Sequence, residues 1–132
     1  MTTVAMEDYL KAIYHGQQET EQRVRTSVVA AHMGVSLPSV SAMFSRLEHR
    51  ELVDRVKYRG VTLTAEGQQI AVRTVRHYLL LKAYLVKFLD YSEQAAHKEA
   101  DQLEHHISEK FAERIRDALD EQECDSTASC PQ

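Results

Sequence analysis

The sequence has few cysteines and no long apolar run, and these absences exclude several classes of protein. Its 132 residues include two cysteines, Cys124 and Cys130, both in a polar stretch near the C-terminus. A disulfide there would stabilise little, so a disulfide-based scaffold of the secreted kind is excluded. No apolar stretch is long enough to cross a bilayer, because the longest, 78–89, is interrupted by Lys82 and Lys87.

Secretion and metalloenzyme signals are also missing. Residues 1–8 contain neither a basic region nor an apolar core, so we expect a cytoplasmic protein. The chain has no His-Glu-x-x-His motif and no pair of Glu-x-x-His helices. No candidate nucleophile stands beside a base. We therefore expect that the protein is not an enzyme, with a metallohydrolase or a di-metal oxidase as the enzymatic alternative.

Positive charge is scarce overall but is concentrated in one segment. Sixteen basic and 20 acidic residues give a formal net charge of −4, which argues against strong non-specific binding to nucleic acid. Between residues 36 and 64, however, five basic side chains outnumber three acidic ones, whereas between 92 and 125 eleven acidic side chains outnumber four basic ones. The first segment suits phosphate, and the second suits cations.

The apolar pattern predicts a mostly helical chain. Period-3.6 stripes indicate helices over 4–18, 27–32, 39–50, 65–89, 92–107 and 108–120. Two short strands, 52–56 and 61–64, are expected to form a hairpin with a basic tip. Thr26 is expected to cap the second helix, and Gly34 is expected to end it in a left-handed conformation. After residue 120 we expect a frayed tail.

Helix, helix–turn–helix and hairpin, in that order, predict a winged helix–turn–helix. In such a module one helix enters the major groove and the hairpin, or wing, meets the DNA backbone. The expected DNA contacts come from the start of the second helix, the turn, the third helix and the wing: Arg25, Thr26, Ser36, Pro38, Ser39, Ser41, Arg46, Lys57 and Arg59. Short groups dominate this set, so DNA shape is expected to contribute to recognition. The alternative is a protein-interaction module, since small units of three helices and a hairpin also serve that role.

Acidic and imidazole side chains in the last third of the chain predict a metal site. Asp101, Glu104 and His105 follow the spacing i, i+3 and i+4, which places them on one face of a helix. Oxygen and nitrogen donors in this arrangement suit a divalent transition metal. Asp8 and His77, far upstream, are further candidate ligands. Each residue alone has an ordinary interpretation, as a surface acid or a core histidine, so the prediction depends on the whole set.

These segments resemble a known family, the metal-dependent regulators of the diphtheria toxin repressor type, and especially its manganese transport regulator branch. The resemblance covers residues 4 to about 120 and depends on five short segments, 6–10, 38–41, 57–64, 77 and 104–106. It implies a winged helix–turn–helix DNA-binding domain over 1–64, an all-helical dimerisation and metal-binding domain over 65–123, and a flexible tail over 124–132. It also implies a homodimer that binds a palindromic operator when loaded with metal and represses metal-uptake genes.

The resemblance implies the metal ligands as well, namely Asp8, His77, Asp101, Glu104 and His105. The iron branch has a methionine at the position of Asp8 and a cysteine at that of Asp101. Oxygen at both positions favours a harder ion, so Mn(II) is the expected co-repressor, with Fe(II) next.

Three positions depart from the family pattern. Lys11 stands where the manganese branch has a glutamate ligand, which argues against a second manganese beside the first. His97 matches a ligand of the iron branch's other site, but Leu81 replaces the glutamate of that site. We therefore expect His97 either to bind a second metal weakly or to pair with a neighbour.

Two further functions stay open from the sequence. A metal-independent winged-helix regulator would respond to an organic ligand bound near the long helix, and chelators would leave its DNA affinity unchanged. A metal buffer with a vestigial DNA-binding domain would have no operator. The favoured interpretation expects operator DNA and a second copy of the chain as partners, with neither a membrane nor a small organic substrate.

Overall fold

The computed structural model describes residues 2–20 and 23–126, and only the backbone of 122–126. Within these ranges the chain forms six helices and one antiparallel sheet of two strands. The elements are, in order, α1 (Val4–Thr20), α2 (Thr26–Met33), α3 (Leu37–His49), β1 (Val53–Val56), β2 (Gly60–Leu63), α4 (Ala65–Leu89), α5 (Glu93–Leu103) and α6 (Glu109–Ser126). The mostly helical fold is confirmed.

Two compact units make up the chain, one ending at Thr74 and the other beginning at Val75. The division falls inside α4, which therefore supplies residues to both units. Each unit buries its own cluster of apolar side chains.

The core of the first unit is formed by α1, α2, α3 and the hairpin. Its largest fully buried side chains are Phe44, Leu10, Ile13, Leu47, Val29, Val40 and Val61. Burial of each such side chain contributes about 1.5–3 kcal/mol. The chain bends by 114° between α2 and α3. This angle lies in the range found in helix–turn–helix motifs. This unit is therefore a winged helix–turn–helix, as the sequence predicts.

The hairpin is tied to the chain segment that precedes α2. Val53 pairs with Leu63 at one end of the sheet. An isolated bridge joins Val24 to Val61, with reciprocal N–H···O bonds of 2.8 and 2.9 Å. Gly60 has φ +96°, and a Cβ there would lie 2.3 Å from the carbonyl oxygen of Val24. Glycine is thus the residue that permits this close approach.

The helix starts of the first unit follow the sequence signals with one exception. Ser36 caps α3, because its Oγ accepts a hydrogen bond from the Ser39 N–H at 3.3 Å. Gly34 ends α2 at φ +68°, which confirms the expected left-handed residue. The prediction that Thr26 caps α2 is wrong: Thr26 is the first helical residue, and Arg25 occupies the cap position without a side-chain bond. Backbone N–H groups of the first turn bond the Arg25 carbonyl instead.

Helices α5 and α6 differ from the expected boundaries. α5 begins after its cap Ser92 but ends at Leu103, because residues 104–106 form a turn. α6 begins after Ser108, whose Oγ accepts from the Phe111 N–H at 3.1 Å. It continues to Ser126, so the frayed tail expected after residue 120 is wrong as far as 126. Residues 127–132 and the side chain of Cys124 lie outside the described residues.

The second unit packs α4, α5 and α6 around a small apolar cluster. Its buried members are Leu81, Leu85, Ala96, Ala100, Ile115 and Leu119. No single helix in the described part of the chain is long and apolar enough to cross a membrane. The bent pair α2 and α3 would be long and apolar enough only if the two helices are counted together.

Candidate nucleic-acid interface and metal centre

A groove lies between α3 and the hairpin in the first unit. Its volume is about 560 Å³. Predicted DNA-contact residues line it, namely Arg25, Thr26, Pro38, Ser41 and Lys57. The structure therefore brings the α2 start, the front of α3 and the wing together on one surface. A surface of this composition suits the phosphates and groove edges of duplex DNA.

Four other predicted DNA-contact residues are exposed beside this groove or farther along α3. Ser36 and Ser39 lie at the start of α3, with their hydroxyl oxygens 2.8 Å apart. Arg46 lies in the last turn of α3, and Arg59 lies in the turn of the hairpin. Their exposure leaves all four side chains accessible to a partner.

Sequence reasoning missed two side chains on this surface. Arg55, on β1, donates from Nη1 to Ser45 Oγ at 2.8 Å and from Nη2 to Ser41 Oγ at 3.0 Å. Tyr58, at the hairpin tip, is 88% exposed, and the Lys57 ammonium lies 5.2 Å from its ring centroid. Arg55 precedes Lys57 by two residues, which is the strand spacing of a shared face. That spacing is the signal that was available for Arg55.

In the second unit, a buried carboxylate and a buried imidazole meet just after α5. Glu104 Oε1 lies 3.4 Å from His105 Nε2, and their side chains are 0% and 2% exposed. Asp101 is on α5 and exposed. The cap residue Glu104 keeps a helical backbone and bonds the Ala100 carbonyl, so the expected spacing holds for Asp101 and Glu104. The expected helical face is wrong for His105, which lies in the turn after α5.

His77 lies on α4 and is 3% exposed. Its Nε2 is 3.2 Å from Glu109 Oε1, at the start of α6. The same carboxylate forms an ion pair with Arg76. Glu109 was not among the sequence-predicted site residues, since local spacing does not relate positions 32 residues apart.

His97 pairs with a neighbour on α4. The Tyr78 hydroxyl oxygen lies 2.6 Å from His97 Nδ1, and the two rings meet edge to face. Leu81, which stands where the resemblance implies a glutamate ligand in the iron branch, is 4% exposed in the core of the second unit. Asp8 is half-buried on α1 of the first unit.

One histidine outside the predicted ligand set has a perturbed acidity. Burial lowers the pKa of His15 from its ordinary value, and the neighbouring charges of Lys11 and His32 lower it further. Glu19 acts in the opposite direction. His15 lies on α1, and its lowered pKa favours the neutral imidazole more in the folded state than in a free histidine.

A winged helix–turn–helix unit followed by a helical unit with buried carboxylate and imidazole groups defines the class of metal-responsive DNA-binding proteins. The chain matches two family descriptions that together span most of its length. Residues 1–61 match "Iron dependent repressor, N-terminal DNA binding domain", and residues 64–130 match "Iron dependent repressor, metal binding and dimerisation domain". The chain belongs to the iron-dependent repressor family.

Several relatives of this chain are transcriptional regulators named MntR. The HTH-type transcriptional regulator MntR of Bacillus subtilis (strain 168) is 34% identical over 119 residues, which are 90% of this chain and 82% of that protein. The transcriptional regulator MntR of Escherichia coli O6:H1 is 32% identical over 111 residues, 84% of this chain and 70% of that protein. The resemblance to the diphtheria toxin repressor type and its manganese branch is thus confirmed.

Solved structures show the same likeness. The manganese regulator SloR matches with a TM-score of 0.75 and 37% identity over 86% of this chain and 53% of SloR. A manganese-dependent transcriptional repressor in complex with manganese matches with a TM-score of 0.77 and 36% identity, covering 86% of this chain and 52% of the repressor. The chain spans about half the length of these solved structures.

Proposed function

We propose that the protein is a cytoplasmic, homodimeric repressor of metal-uptake genes, with Mn(II) as its favoured co-repressor and Fe(II) next. Family membership supports metal-dependent repression, and the manganese regulators among the relatives support the metal. The observation that carries the proposal is the burial of Glu104 beside His105. Withdrawing a carboxylate and an imidazole from water is costly, and binding a cation to the pair offsets that cost.

The proposed ligands are Asp8, His77, Asp101, Glu104 and His105. Three carboxylates and two imidazoles fit Mn(II) or Fe(II), because both accept hard oxygen donors together with imidazole nitrogen. The metal, when bound, supplies the positive charge that lets these carboxylates share one site.

Glu109 has a positioning role in this proposal. Its Oε1 lies 3.2 Å from His77 Nε2, and because an ionised carboxylate can only accept a hydrogen bond, the Nε2–H is the donor. The lone pair of the imidazole is then on Nδ1, which is the nitrogen left for the metal. Ligating histidines commonly donate their other N–H to a carboxylate in this way. His97 remains the candidate for a separate, weaker site through Nε2, since Tyr78 occupies its Nδ1.

Metal binding acts on DNA binding because the proposed ligands come from both units. Asp8 belongs to the first unit and the other four ligands belong to the second. Ligands drawn from both units would let one bound metal hold the DNA-binding units of the dimer at the spacing of successive major grooves, about 34 Å. The partners are therefore operator DNA and a second copy of the chain. The proposal includes no enzymatic activity, no membrane partner and no small organic substrate.

The test is fluorescence anisotropy of a labelled palindromic operator, selected from genomic fragments, with Mn(II), Fe(II) or a chelator. We expect Mn(II) to tighten binding and the chelator to reverse it. His105→Ala removes this metal response because it removes a ligand. His106→Ala is the matched control, since His106 is the adjacent exposed histidine.

Two results would contradict the proposal. If the chelator leaves operator affinity unchanged, the regulator responds to something other than a metal, and an organic effector becomes the favoured alternative. If His105→Ala responds to Mn(II) as fully as His106→Ala does, the ligand assignment is wrong.

A further inference from the structure

Arg55 connects the wing to the recognition helix through two serines. Ser41 and Ser45 are one turn apart on α3, so their hydroxyls lie on the same face of the helix. Arg55 reaches both of them from β1, at 3.0 and 2.8 Å. Two hydrogen bonds to one planar guanidinium fix its orientation. Arg55 is therefore held along the wall of the groove between α3 and the hairpin.

The guanidinium retains capacity for a further partner. It carries five N–H donors, and the two serines use two of them. Among the described residues, no carboxylate forms an ion pair with Arg55. Arg23 differs in this respect, because Asp54 neutralises it at 2.8 Å. Arg55 thus brings its full charge to the groove.

Two other cations line the same groove. Arg25 comes from the cap position of α2, and Lys57 comes from the end of the hairpin. Three positive side chains on one concave surface create an attractive potential for an anion. The backbone phosphate is the anion that duplex DNA presents to such a surface.

We propose that Arg55 binds a DNA backbone phosphate in this groove, together with Arg25 and Lys57, and that Ser41 and Ser45 hold Arg55 in place. This inference adds a phosphate contact to the interface and rests on the DNA-binding part of the proposed function. It assigns Arg55 a contact that is independent of base sequence, because every nucleotide presents the same phosphate.

The experiment measures duplex affinity by anisotropy between 50 and 200 mM salt with Mn(II), for the wild type, Arg55→Gln and Arg23→Gln. Loss of one phosphate contact lowers the slope of log K against log salt by about 0.9. Raising the salt from 50 to 200 mM therefore weakens the binding of Arg55→Gln by a factor about 3.5-fold smaller than the factor for the wild type. We expect the same change on operator and non-operator duplexes.

Arg23→Gln is the matched control. It removes one positive charge near the same hairpin, but its partner Asp54 precedes Arg55 by one residue and so faces the other side of the strand. We expect its salt slope to equal that of the wild type. Circular dichroism checks that both variants fold. If Arg55→Gln does not fold, Arg55→Lys replaces it in the experiment. We expect Arg55→Lys to keep the charge and the salt slope. Its affinity for DNA should fall several-fold, because the two hydrogen bonds to the serines are lost.

Three results would overturn the inference. The first is an unchanged salt slope for Arg55→Gln, and the second is an equally large change of slope for Arg23→Gln. The third is an affinity of Arg55→Lys equal to that of the wild type. A loss confined to the operator, which indicates base contact, would also overturn the inference. A wild type that does not bind duplex DNA overturns both this inference and the proposed function. Binding that ignores the chelator contradicts only the metal part of the proposed function, since the comparison of Arg55 with Arg23 still holds.

Discussion

At the scale of single residues, two glycines have left-handed backbones for different reasons. Gly34 ends α2 at φ +68°, and a Cβ there would meet no atom within 4 Å. Gly60 starts β2 at φ +96°, and its Cβ would press on the backbone of Val24 and Arg25 at 2.3 to 3.0 Å. Substitution at Gly34 therefore costs only the backbone strain, whereas substitution at Gly60 adds a collision with main-chain atoms.

Replacing each of these glycines with alanine separates the two costs. Gly34→Ala should lower the free energy of unfolding by about 1–2 kcal/mol, the cost of a left-handed L-residue. Gly60→Ala should cost more, because the bridge between Val24 and Val61 must open to admit the methyl group. Urea unfolding followed by circular dichroism measures both values. Equal losses for the two variants would show that the close approach at Gly60 relaxes freely.

At the scale of elements, the starts of α2 and α3 differ in how they are closed. Ser36 closes α3 with its side chain, through the bond to the Ser39 N–H. α2 begins at Thr26 with backbone bonds alone. The two helices of the helix–turn–helix therefore depend on their first polar side chains to different degrees.

This difference predicts unequal effects of two similar substitutions. Ser36→Ala should destabilise the protein by about 1 kcal/mol, the usual cost of losing an N-cap. Thr26→Ala should leave stability within about 0.5 kcal/mol of the wild type, because the half-buried Thr26 makes no cap bond. The midpoint of urea unfolding at constant m-value reports both changes. A larger loss for Thr26→Ala would show that the threonine hydroxyl stabilises α2.

The C-terminal end of α5 was predicted wrongly from the periodicity of apolar residues alone. Apolar residues at 96, 100, 103 and 107 predict a helix through Ile107. Ser108 competes with that pattern, because it caps α6 and places Ile107 at the position before the cap, where an apolar residue commonly packs on the new helix. The cap signal prevails, and the chain turns at 104–106. The helices α1 to α4 were predicted within two residues at each end, whereas α6 continues six residues beyond its predicted end at 120.

The candidate sites were predictable only in part, for a related reason. Residue types and spacing indicated Glu104 and His105, which are neighbours in the chain and meet in space. Arg55 with Ser41, and Glu109 with His77, are 14 and 32 residues apart. Such pairs are determined by packing between elements, which a local pattern does not contain. The groove lined by Arg25 and Lys57 was anticipated because the order of elements, and not a local pattern, predicted the module.

At the scale of the whole molecule, the proposed regulation depends on coupling between two units that have separate cores. The proposed DNA-contact residues lie in the first unit, and four of the five proposed ligands lie in the second. Coupling of about 1–3 kcal/mol between two ligands corresponds to a change in affinity of about 5- to 150-fold. Part of this coupling free energy can be entropic. If metal binding has already ordered the units, DNA binding loses less conformational entropy.

Thermodynamic linkage makes this coupling measurable from both sides. If Mn(II) tightens operator binding by a given factor, the operator must tighten Mn(II) binding by the same factor. Calorimetric titration of Mn(II) with and without saturating operator gives one value, and operator anisotropy with and without Mn(II) gives the other.

In Asp8→Met, the second unit keeps its four proposed ligands but the first unit contributes none. We expect Asp8→Met to retain weakened Mn(II) binding while both factors fall towards one, because metal binding no longer acts on the DNA-binding unit. Asp8→Met with undiminished coupling would assign the link to another residue, and unequal factors in the wild type would mean that a further equilibrium, such as dimerisation, contributes to the response.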